Sequence, residues 1–129
     1  MTDTRTDRAD DQPLFKGLPR RIHVGAFVFR IRVEPPEHEM LVDCYGCCDT
    51  ENCRITVSSA LNAAFALNTV MHELKHATNW VYGLDDDSTE EQFTNLDTNA
   101  TIDMWQRNPR LFLWISKTLR RAKQDAHGD

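Results

Sequence analysis

No run of apolar residues in this chain approaches the ~20 that a bilayer-crossing helix needs, which excludes a membrane-spanning helix. The first dozen residues mix Asp, Arg and Thr without an apolar stretch, so they resemble neither a secretory signal nor a packing segment. A disordered tail is expected over 1–15, a single domain over 16–124 and a frayed tail over 125–129. No cysteine lies outside positions 44–53. With no export signal the expected compartment is the reducing cytoplasm, where thiols or a metal site are favoured over disulfides. No stretch gathers one sign of charge into a dominant face. Fifteen Lys and Arg against twenty Asp and Glu give a net charge of −5, and nothing in that balance calls for nucleic acid as a partner. The one basic cluster, Arg110, Lys117, Arg120, Arg121 and Lys123, is interleaved with Leu111, Phe112, Trp114, Ile115 and Leu119, the pattern of the wet side of a packed helix.

What is present has two characters. Residues 21–33 alternate like strands, with Ile22 and Val24, then Phe27, Phe29, Ile31 and Val33 as the apolar set. The parity changes across Gly25-Ala26, so a bulge or short turn there lets both halves face one core. Pro35-Pro36 ends this region. Further strands are expected at 40–45 and, after a turn over 46–52, at 54–58. From residue 60 to 82 the chain has no Pro or Gly and repeats apolar residues at helical spacing. A second helix is expected to start at Ser88, whose capping-box partner would be Glu91, and to carry Phe93, Leu96 and Ala100 inward. It should end at Asn108-Pro109, with a third helix over 111–123. The fold class is therefore α+β: a small, mainly antiparallel sheet packed on a long helix and followed by two further helices.

Within the long helix stands His72-Glu73-Leu74-Lys75-His76. Residues four apart share a helical face, so His72 and His76 can offer imidazole nitrogens to a single ion, while Glu73 lies beside it as a base for water. Composition alone produces this pattern in roughly one such chain per hundred, and its place on a helix strengthens the reading over two surface histidines. A catalytic zinc takes three protein ligands and keeps one position open. No histidine occurs between His76 and His127, which points to Glu90 or Glu91 at the start of the second helix. Stepping back three from Phe93 favours Glu90, and Glu91 falls at the expected capping position. Both also suit a helix N-terminus as ordinary first-turn acids.

The run Thr69-Val70-Met71-His72-Glu73-Leu74-Lys75-His76-Ala77, with Glu90-Glu91 after it, resembles the short metallopeptidase-like proteins of phage and prophage genomes, relatives of the minimal gluzincin fold of ImmA/IrrE-type metallopeptidases. The resemblance spans residues 22–108 and is most specific over 69–96. It implies a zincin-like domain, located in the host cytoplasm if phage-encoded, with one catalytic Zn2+ held by His72, His76 and Glu90 (alternatively Glu91). It also implies Glu73 as general base, an edge strand that aligns an extended protein or peptide substrate, and peptide-bond hydrolysis.

The cysteines depart from that pattern. Cys44, Cys47, Cys48 and Cys53 could hold a second, structural zinc, but four thiols within ten residues lack the separated pairs such sites use, so free thiols are favoured. His23 and His38 read as surface or hydrogen-bonded residues, Asp85-Asp86-Asp87 as a solvated turn, and Trp80, Trp105 and Trp114 as core. Tyr82 is open as a donor to a developing oxyanion. Two rival functions stand beside hydrolysis: a non-catalytic, zinc-stabilised protein-binding module, and a nucleic-acid-associated factor using the cysteines as a zinc knuckle.

Overall fold

A computed structural model describes residues 12–85 and 87–127. It is an α+β fold whose sheet, in the order β1-β2-β4-β3, is covered on one face by helices. The strands are β1 (Arg21–Val24), β2 (Phe27–Glu34), β3 (Gly46–Asp49) and β4 (Arg54–Ser58), and the helices α1 (Ala63–Val81), α2 (Glu90–Arg107) and α3 (Pro109–His127). β1 with β2 and β3 with β4 pair antiparallel, and the central β2 and β4 run parallel.

The parity switch at Gly25-Ala26 resolves as a two-residue turn, because Val24 faces Phe27 directly in the β1–β2 hairpin. Gly25 sits there at φ +56°, and a Cβ on it would lie 2.6 Å from Val81 Cγ1 at the end of α1. The inward residues are Ile22, Val24, Phe29, Ile31, Val33, Ile55 and Val57, all buried. They meet Ala66, Val70, Leu74 and Ala77 of α1, with Leu111 and Trp114 of α3 closing the core behind.

Several expectations shift. Residues 40–45 are not a strand: Glu39–Leu41 form a 3-10 turn started by His38, whose Nδ1 accepts from Met40 N, and the strand is Gly46–Asp49. α1 begins at Ala63 rather than residue 60, because the Asn62 side chain accepts from Phe65 N and sets the cap. The capping box of α2 is Thr89 with Gln92, one residue later than Ser88 with Glu91, since Ser88 Oγ is engaged with Asp85. The α1-facing side of α2 carries Asp97, paired with Lys75, so Leu96 turns outward. Trp80 and Trp105 are also partly exposed, packing edge-on against Phe27 and Phe112 respectively.

The domain boundaries move outward as well. Pro13–Phe15 form a 3-10 turn with Phe15 in the core, and Trp114 Nε1 donates to Leu14 O at 3.1 Å, so only 1–11 of the expected N-terminal tail lie outside the described residues. α3 continues to His127, which leaves 128–129 of the expected C-terminal tail outside them. No described helix is long and apolar enough to cross a membrane.

β1 is an edge strand whose outer backbone groups need partners. Asn108, between α2 and α3, supplies them: its Oδ1 accepts from His23 N at 2.8 Å and its Nδ2 donates to His23 O at 2.8 Å and to Met104 O at 2.7 Å. Asn108→Ala leaves three polar groups unsatisfied at a buried corner and is expected to destabilise the fold by about 2–4 kcal/mol in urea unfolding. An unchanged midpoint would mean that the corner is held by something else.

Candidate metal centre

α1 buries one side against the sheet and leaves His72 and His76 on its open face. The two rings converge: His72 Nε2 and His76 Nε2 are 3.1 Å apart, with centroids 4.8 Å apart and planes at 78°. Two nitrogens each about 2.1 Å from a tetrahedral zinc stand roughly 3.4 Å apart, so the pair needs only a slight opening to chelate one ion. The i, i+4 spacing thus brings the two ring nitrogens together on one open face of the helix.

Glu73, one residue round the helix, is only 7% exposed. It lies under β3, where Gly46 has no side chain to obstruct it. A Cβ on Gly46 would come within 2.6 Å of Thr69 Cγ2, 3.1 Å of Glu73 Cγ and 3.2 Å of Glu73 Oε2. Strand and helix therefore meet through a glycine contact that only backbone can make. Burial raises the Glu73 carboxyl above its ordinary value, and the neighbouring His72 and His76 pull in the opposite direction.

Among the described residues no third donor joins the two histidines. Glu90 and Glu91 occupy the first turn of α2, both exposed, and among the described residues no three His, Cys, Asp or Glu side chains converge on one point. Helical phase still separates the two acids. α2 packs on α1 through Phe93, whose ring lies 5.8 Å from Lys75 Nζ, and through Asp97, paired with the same lysine. Glu90 is three residues before Phe93 on that face. Glu91 points elsewhere and accepts from Asn95 Nδ2 at 3.5 Å. Its expected capping role is taken by Gln92, so phase alone carries the preference for Glu90.

The cysteines are free thiols among the described residues. Cys47 and Cys48 are consecutive on β3 and so face opposite sides of the sheet. Cys48 packs against the core, where burial, the Glu73 carboxylate and neighbouring acidic groups push its thiol up to about 12. Tyr82 is committed elsewhere: its hydroxyl donates to Asp103 Oδ2 at 3.1 Å, tying α1 to α2. His23 lies exposed on β1, as a surface residue should. The part of the site that residue spacing did not reveal is Gly46, whose role depends on a strand placed several positions from where alternation put it.

No known family model, curated protein or solved structure matches this chain.

Two predictions follow from this geometry. Gly46→Ala should destabilise the protein by about 1–3 kcal/mol through overpacking, and Thr69→Ser, which deletes the methyl it strikes, should recover part of the loss; no recovery would refute the contact. The second concerns pH. The folded chain holds the Glu73 proton more tightly than the unfolded chain, so this residue's contribution to stability falls as pH rises from the ordinary Glu value through the raised one. In protein kept metal-free with a chelator, Glu73→Gln should melt higher than the parent near neutral pH and converge with it in acid. A Gln variant that melts lower at neutral pH would show that the carboxylate is satisfied in the fold.

Proposed function

We propose that this chain is a zinc-dependent hydrolase of the metallopeptidase type. The observation that carries the reading is the pair of imidazole nitrogens 3.1 Å apart on the open face of α1, with a buried carboxylate on the adjoining residue. His72 and His76 would hold the ion, and Glu90, or in its place Glu91, would complete the set from α2. Both acids are exposed at the start of α2, and Glu90 shares the helical face that Phe93 turns toward α1. Zinc, when bound, supplies a Lewis acid that lowers the pKa of water toward about 7 and polarises a carbonyl. Glu73 takes the proton from the attacking water and returns it to the departing amine nitrogen, and its raised affinity for a proton suits it to both transfers. β3, which carries no further strand among the described residues, lies beside this carboxylate and would offer backbone groups to an extended peptide.

The test is zinc analysis of purified protein combined with turnover of a peptide library. Glu73→Gln should retain zinc and lose hydrolysis by about 10²–10⁴-fold, while His76→Ala should lose the metal itself. Undiminished turnover in Glu73→Gln would overturn the assignment. Among the described residues no third donor converges on the histidines, which favours a second reading, a non-catalytic module in which zinc steadies a protein-binding surface. Zinc at one equivalent with no turnover on any library member would select it.

A further inference from the structure

Away from α1's open face, the loop before β1 and the α2–α3 corner border an open hollow of about 890 Å3. Its wall carries Lys16, Arg20, Arg21, Arg107, Arg110 and Lys117, and among the described residues no Asp or Glu lines it. A chain of net charge −5 has thus gathered six of its fifteen cationic side chains around one hollow. A concave wall whose charged side chains are cationic focuses its field on whatever enters.

We infer that this cavity binds a small ligand bearing two or more phosphate groups. Two of the cations are anchored as part of the wall. Lys117 Nζ donates to Lys16 O at 2.9 Å, and Arg107 bonds Gly25 O and stands 3.7 Å from Asp103. Arg21 and Arg110, by contrast, are exposed and have no ion-pair partner among the described residues. Their guanidinium forks match two phosphate oxygens at a time, which a point-charge ammonium does not. The size of the hollow is that of a small-molecule site. A nucleic-acid strand is a poorer fit, because Trp114 in the lining is only 1% exposed and the small His23 imidazole is the one ring the lining leaves open to a stacking base. The ligand therefore presents phosphates without needing an aromatic surface. Nothing in this inference depends on the metal centre.

The test is isothermal titration of the full chain with tripolyphosphate, with inorganic phosphate and a single-stranded oligonucleotide as comparison probes. Tripolyphosphate should bind one-to-one and saturably, more tightly than inorganic phosphate, and weaken as salt is raised. Arg21→Gln and Arg110→Gln should each lower the affinity roughly tenfold, the scale of one lost charge-assisted contact. Both variants should melt no lower than the parent without ligand, since each relieves like-charge repulsion. His76→Ala should leave the titration unchanged, which separates phosphate binding from chelation of metal by the probe. Absence of saturation, or affinity retained in both arginine variants, would overturn the inference. Oligonucleotide binding tighter than tripolyphosphate would overturn the small-ligand class and assign the cavity to nucleic acid.

Discussion

The close approach of α1 to β3 at Gly46 is the constraint on which the rest of the site depends. Because no side chain stands between them, Thr69 and Glu73 press directly on the strand, and the helix is fixed in rotation. With Glu73 turned under the sheet, His72 and His76, which lie together on one side of its phase, face outward as a pair. The same rotation places Lys75 toward α2, where Asp97 and Phe93 receive it. One glycine contact thus sets the direction of the imidazoles, the buried carboxylate and the docking of the second helix.

That arrangement sets burial against charge at one residue. Glu73 is placed where water is largely excluded, which raises its affinity for a proton and makes its charged form unfavourable in the fold. A glutamine of the same shape would sit there more comfortably. A group that the fold would rather see neutral is a natural proton acceptor when a cation stands nearby, and this tension is common where sites are built into otherwise well-packed elements.

Local periodicity made much of this legible. The α+β class, the hairpin at Gly25-Ala26, the long helix with its two histidines and the helix break at Asn108-Pro109 all follow from patterns within a few residues. What escaped depends on partners distant in sequence. The strand at Gly46–Asp49 has little alternation of its own and exists because β4 pairs with it. Asp97 broke the apolar stripe of α2 because its partner, Lys75, is on another helix. Ser88-x-x-Glu91 and Thr89-x-x-Gln92 are equally good capping boxes on paper, and the engagement of Ser88 with Asp85 decides between them. The basic hollow was invisible for the same reason: its arginines and lysines come from 16–21 and 107–117, and each group alone reads as ordinary surface.

The sheet has two borders of unlike character. Along β1 the backbone of His23 is stitched to Asn108, whereas among the described residues β3 ends the sheet with no strand on its outer side. Any extended chain that joins the sheet therefore does so at β3, alongside α1.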